Sequence, residues 1–240
     1  MKQHQSIAVV IGVGPGLGLA IAKKFVAENF FTVIISRNKE QLSALIPQID
    51  AANKNVAAFA ADVTNEEEVI SLFNEIKNKF GHPEVVIYNA AAKFELKGIN
   101  DISSEDFIRS WKISCLGGLL VSQQVTPNMI KQSKGTIIFT GATAALRGSA
   151  NMTAFAVGKF SQRALAQSMA KEFGPQGIHV VHVIIDGYIA TPIVLKHFPD
   201  KPLDSFLNPK DIAETYWQLY RQDKCAWTHE IDLRPYTEKF

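Results

Sequence analysis

This sequence predicts a single α/β domain of the doubly wound kind. Short β-branched runs of strand length recur along the chain, longer segments with helical spacing separate them, and a glycine-rich turn follows the first run. Parallel strands cannot be joined by a tight turn. Strand and helix in alternation therefore call for right-handed crossovers and a mostly parallel sheet with helices on both faces. At 240 residues the chain has the length of one such domain, residues 1–240, with little room for a second.

The elements follow in order. Ile7 to Ile11 reads as the first strand, and the helical pattern after the glycines spans Leu17 to Asn29. Thr32 to Ser36 is the second strand, with a helix at Gln41 to Asn53, and Val56 to Ala60 the third. Thr64, followed three residues later by Glu67, has the spacing of a capping box, and Glu66 to Glu68 complement the positive end of a helix running to Phe80. After a fourth strand at Val85 to Tyr88, Ser103 and Asp106 repeat that spacing ahead of one long helix from Glu105 to Met129. The fifth strand is Thr136 to Thr140, the next helix Ala154 to Phe173, and the sixth strand Val180 to Ile185. Beyond Pro192 the pattern loosens around His197, Phe198, Pro199 and Pro202, so residues 192–207 are expected to form a substrate lid. A helix from Pro209 to about Arg221 and a last strand near Trp227 to Leu233 close the chain.

Composition narrows the function classes. With 47% apolar and 20% charged residues the chain can fill a core. Lys plus Arg at 25 against Asp plus Glu at 23 leaves +2, far from the basic excess that a nucleic-acid partner requires. Cys115 and Cys225 are distant in sequence and lack ligand spacing, which argues against a disulfide framework or a zinc site and for the reducing cytoplasm. His179 and His182 sit at odd spacing on one strand and face opposite ways, so no metal site is expected. No apolar run reaches 18 residues, and the N-terminal run lacks the apolar core of a secretory signal, so neither a membrane span nor export is expected.

The first strand leads into Gly12-Val13-Gly14-Pro15-Gly16-Leu17-Gly18. Gly12, Gly16 and Gly18 fit the spacing GxxxGxG at the first strand-to-helix turn, where backbone amides and a helix N-terminus can meet a dinucleotide pyrophosphate. About 20 residues further on, an NAD-preferring site would offer an acid to the ribose hydroxyls. Here Ser36 and Arg37 stand at that strand end, and a guanidinium can fork onto a 2′-phosphate, so NADP(H) is expected rather than NAD.

At this point the sequence resembles the short-chain dehydrogenase/reductase family over nearly its whole length. Asp62-Val63 matches the family's adenine-contacting pair, and Asn89-Ala90-Ala91 looks like its Asn-Ala-Gly. Phe155 and Lys159 stand where the family has Tyr-x-x-x-Lys. Asp186-Gly187-Tyr188-Ile189-Ala190-Thr191-Pro192 resembles the Pro-Gly segment that borders nicotinamide, which points to Gly187, Ile189 and Thr191 as cofactor contacts. The resemblance implies a Rossmann fold, a nicotinamide dinucleotide and a small-molecule substrate. It also implies a homodimer or homotetramer packed through the helices at Glu105 to Met129 and Ala154 to Phe173.

The resemblance also marks a departure. In the family a tyrosine phenol exchanges a proton with the substrate; Phe155 has none to give. Lys159 keeps its place one turn away, where it would hold the nicotinamide ribose. The family serine aligns with Ala142 and the helical asparagine with Ser114, while Thr143 and Tyr188 are neighbouring hydroxyls able to serve instead. The expectation is an NADP(H)-dependent oxidoreductase with a degenerate tetrad (Lys159, Phe155, Ser114 and the nearby Thr143) acting on a carbonyl, alcohol or activated double bond. The alternative is a cofactor-binding pseudoenzyme serving as a sensor or inactive partner subunit.

Overall fold

Along β1 (Ile7–Ile11), Ile7, Val9 and Ile11 enter one hydrophobic layer while Ala8 and Val10 enter the other, as the two-residue period of a strand dictates. The computed structural model describes residues 5–92 and 95–238, and the same division runs through the whole sheet. After α1 (Leu17–Ala27) come β2 (Phe31–Ser36), α2 (Lys39–Ile49), β3 (Val56–Ala60), α3 (Glu66–Lys79) and β4 (Val85–Tyr88). The second half contains α4 (Ser104–Trp111), α5 (Gly117–Gln132), β5 (Gly135–Thr140), α6 (Thr153–Phe173), β6 (Ile178–Ile185), α7 (Pro192–His197), α8 (Pro209–Tyr220) and β7 (Glu230–Leu233). The strands are parallel in the order β3-β2-β1-β4-β5-β6-β7. Helices α1, α2 and α8 bury Phe25, Leu42 and Tyr216 against one face, and α3, α5 and α6 bury Ile76, Val125 and Ala166 against the other. Chain order reverses between β1 and β4, which opens a crevice at the carboxyl ends of the strands.

The expected elements are present, with shifted ends such as α2, which stops at Ile49 and not Asn53, and with larger differences elsewhere. The helix predicted from Glu105 to Met129 is two helices joined by a π turn at Lys112–Leu116. A π turn displaces backbone carbonyls from their helical partners, and the Tyr88 hydroxyl donates to that of Ile113. A side chain at Gly117 would collide with that hydroxyl, so α5 can begin there only on glycine. The cap of α3 is Asn65, whose Oδ1 accepts from the amides of Glu67 and Glu68 at 3.0 and 3.3 Å, and not Thr64. Thr64 is engaged one turn earlier, donating both its amide and its hydroxyl to Asp62 at 2.9 Å. Ser103 caps α4 as expected, accepting from Asp106 N at 3.1 Å.

The segment 192–207 carries α7, capped by Thr191, and a short turn at Leu203–Ser205. The last strand begins at Glu230 instead of Trp227, because Trp227 stacks flat on His179 with ring centroids 4.8 Å apart. His179 also reaches Thr228 O at 2.8 Å, while His182 faces Glu230 at 3.3 Å, so the two histidines part to different partners. Among the described residues, no helix is long and apolar enough to cross a membrane.

Candidate cofactor and active site

The glycine turn is shaped by contacts that exclude side chains. Gly12 has φ +83°, and a Cβ there would lie 2.6 Å from the Ala90 backbone. Its amide donates to Ile35 O at 2.8 Å and its carbonyl accepts from Asn89 Nδ2 at 2.9 Å, which ties the ends of β1, β2 and β4 together. A Cβ on Gly14 would meet nothing within 4 Å, so this glycine opens onto free space in the crevice. Gly16 precedes α1 with no side chain capping the first turn, leaving a helix N-terminus suited to an anion.

A cavity of about 310 Å³ occupies this crevice. It brings together Gly12, Val13, Gly14, Ser36, Arg37, Asp62, Val63, Asn89, Ala90 and Ala91, nine of which the sequence had marked for the cofactor. Arg37 is exposed at its mouth and has neither an ion pair nor a hydrogen bond among the described residues. The other marked residues lie elsewhere. Pro15 and Gly16 line a groove between α1 and α8, and Leu17 is buried in the core. Gly18 packs against the Gly12 carbonyl and Val13. Gly187, at φ +145°, packs against Pro235, and Ile189 bridges to Leu207. The Thr191 methyl sits so close to Gly16 that a Cβ there would lie 2.6 Å away, which joins the base of the 192–207 segment to the glycine turn.

The catalytic positions separate sharply in their surroundings. Phe155, in the first turn of α6, is half-buried and lines an adjoining cavity of about 300 Å³ with Ala92, Ile102, Ser110 and Ile113. Arg37 and Ile113 border both cavities, which are therefore neighbours. Lys159 is only 2% exposed, and its Nζ donates to Thr140 O at 2.7 Å and to Gln162 Oε1 at 3.2 Å. Burial pushes its pKa down to about 8. Ser114 is fully buried in the π turn, and its Oγ, pressed against Gly158, has no hydrogen-bond partner among the described residues. Beneath Lys159, burial also holds the His182 imidazole below its usual range.

Asp186, Arg234 and Tyr88 escaped the sequence reading as participants. The Thr143 hydroxyl donates to Asp186 Oδ1, and the 1%-exposed Asp186 is paired through Oδ2 with Arg234 at 2.7 Å. The one sequence signal was an aspartate where the resembling segment has proline. Nothing in sequence pointed to Arg234 or to the Tyr88 contact with the π turn. Tyr188 is 45% exposed, with its ring against Phe198 at 4.8 Å and Lys201 over its face at 5.0 Å.

Fold and crevice together define a doubly wound protein of the dinucleotide-binding class. The chain belongs to the short-chain dehydrogenase family, whose model matches residues 6–202. It is 31% identical over 231 residues to an uncharacterized oxidoreductase of Staphylococcus aureus strain N315, covering 95% of this chain and 96% of that one. It is also similar to the crystal structure of a short-chain dehydrogenase from Rhodopseudomonas palustris, with 38% identity, a TM-score of 0.80, and 96% and 99% of the two chains covered. A metagenomic short-chain oxidoreductase solved in complex with NADP shares the fold at a TM-score of 0.83 and 21% identity, over 97% and 98% of the chains.

Proposed function

We propose that this protein is an NADP(H)-dependent oxidoreductase acting on a small carbonyl, alcohol or activated double bond in the cytoplasm. The observation that carries the reading is Arg37, a guanidinium without a partner among the described residues, beside Ser36 at the mouth of the crevice cavity, where a 2′-phosphate would balance its charge. Gly14 and the uncapped start of α1 fit the pyrophosphate, and Asp62, Val63 and Asn89 fit the adenosine half. A nicotinamide held there would supply or accept the hydride. The chain's own part is to orient the cofactor and handle the substrate proton. Lys159 would turn from Thr140 O toward the ribose, and the Phe155 ring would wall the neighbouring cavity.

Fluorescence titration tests the cofactor. NADPH should bind about tenfold or more tighter than NADH, and Arg37→Ala should remove that preference. Equal affinities, or an unchanged Arg37→Ala, would overturn the reading. Stopped-flow oxidation of bound NADPH across a carbonyl and enone panel separates an enzyme from a binding protein without turnover.

The same reading includes self-association. Ile108, Trp111, Leu119, Val157 and Phe160 all remain exposed on α4, the π-turn border, α5 and α6, a run of apolar side chains suited to a second copy of the chain. Light scattering at micromolar concentration should give a dimer or tetramer mass; a monomer mass would sink this part.

A further inference from the structure

The dinucleotide half of the crevice spans the carboxyl ends of β1 to β4, and the row continues at β5 and β6. At those two ends the chain places one hydroxyl backed by one carboxylate. Thr143, just beyond β5, donates to Asp186, just beyond β6, 43 residues later. Asp186 is buried and ion-paired with Arg234 at 2.7 Å, and Arg147 stands 3.9 Å away. Arg234 in turn bridges to Asp232 at 2.7 Å. Thr143 is half-buried beside Ala142 at the end of β5. Phe155 and Ala142 offer no proton, and the Ser114 hydroxyl is sealed inside the π turn.

We propose that Thr143 is the proton acceptor of the reaction and Asp186 its positioning residue, and that the substrate is therefore one that donates a hydrogen bond, a secondary alcohol. This rests on the oxidoreductase reading above. Because the Thr143 proton is committed to a carboxylate, the remaining lone pairs of its oxygen can only accept. A carbonyl oxygen meeting them would find two acceptors face to face. Turning the hydroxyl outward would strip the buried Asp186 of a charge-assisted hydrogen bond. An alcohol meets the arrangement as it stands. In the oxidation, the carbinol C–H breaks and its electron pair leaves as hydride to NADP+. The substrate O–H proton passes to Thr143 Oγ as the Thr143 proton passes to Asp186, and the carbon–oxygen single bond becomes a carbonyl. Product release returns the proton from Asp186 to water, so the sum is alcohol plus NADP+ giving ketone, NADPH and a proton.

The test uses the full chain with secondary alcohols and NADP+. The natural protein should oxidise members of the panel. Thr143→Val should lose roughly 100-fold or more in kcat with unchanged NADP+ affinity, and Thr143→Ser should restore most of it. Asp186→Asn should turn its amide oxygen to Arg234 and its NH₂ to Thr143, reversing the hydrogen-bond polarity, and oxidation should fall. In the cofactor-free protein, NMR should show a Thr143 hydroxyl proton protected from exchange, lost in Asp186→Asn. An unprotected hydroxyl, an active Thr143→Val, or a protein that binds NADP+ but oxidises no alcohol would each overturn the proposal. Failure to bind NADP(H) at all would instead overturn the oxidoreductase reading. Should Asp186→Asn not fold, the Thr143 pair decides alone.

Discussion

A Phe155→Tyr variant is expected to reduce simple ketones with NADPH about tenfold or more faster than the natural chain, because it supplies the acid that the site lacks. Position 155 lies one turn before Lys159 on α6, and its ring already borders a cavity of about 300 Å³ next to the crevice. A phenol there has room, and an amine one turn away to lower its pKa. The gain is limited by Ala142, which gives no second donor to the substrate oxygen, since catalytic groups act as a unit. The double variant Phe155→Tyr and Ala142→Ser should therefore gain more than either alone. Single-turnover oxidation of bound NADPH reads this directly. A double variant that folds, binds NADPH and reacts no faster would show that position 155 does not face the reacting carbon.

What could be read from the sequence was local or periodic. The strand runs, the alternation and the glycine turn depend on residues close in sequence, and all reappear in the sheet, where Gly12 has the positive φ that only glycine adopts freely. Arg37 was legible for the same reason, being adjacent to the end of β2. The misses involve competition or distance. Thr64 and Asn65 were both capable of capping α3, and the choice fell to Asn65 because Asp62 claims Thr64 from behind. The π turn at Lys112–Leu116 contains neither proline nor glycine, and is accompanied by a tyrosine 25 residues earlier and by the glycine that follows. Lys159 was predicted at the ribose from its alignment. Its position against Thr140 and Gln162 depends on how α6 lies across β5, which no single segment encodes. Thr143 and Asp186 meet only because β5 and β6 are neighbours in register, Thr140 opposite Val183.

The second large effect concerns the energy stored in Lys159. A fully buried ammonium held by one carbonyl and one amide oxygen, with no carboxylate paired to it among the described residues, loses hydration that these contacts do not replace. Its pKa falls from an ordinary 10.5 to about 8, which corresponds to roughly 3 kcal/mol of instability while the folded state holds the proton. The sign follows from counting protons. Below about pH 8 folded and unfolded chains both carry the proton and the penalty is complete. Between about 8 and 10.5 the folded chain releases it and the unfolded chain keeps it, so stability rises with pH. Above that range the penalty is gone. Lys159→Met keeps the packed stem, removes the charge and leaves two acceptors short of a donor, at about 1–2 kcal/mol. The cofactor-free variant should thus be more stable than the natural protein at pH 7 by about 1–2 kcal/mol, and that margin should vanish or reverse by pH 10.5, read by urea unfolding of both. Subtracting the two curves cancels Lys24 and Lys97, whose pKa values are raised by acidic partners and which drive stability the opposite way at high pH. The same position carries a binding prediction: Lys159→Ala should weaken NADPH binding about tenfold, because the amine that destabilises the cofactor-free crevice is the one proposed to hold the ribose. A Lys159→Met protein less stable than the natural one at pH 7, or a Lys159→Ala protein with undiminished NADPH affinity, would place the amine in a purely structural role.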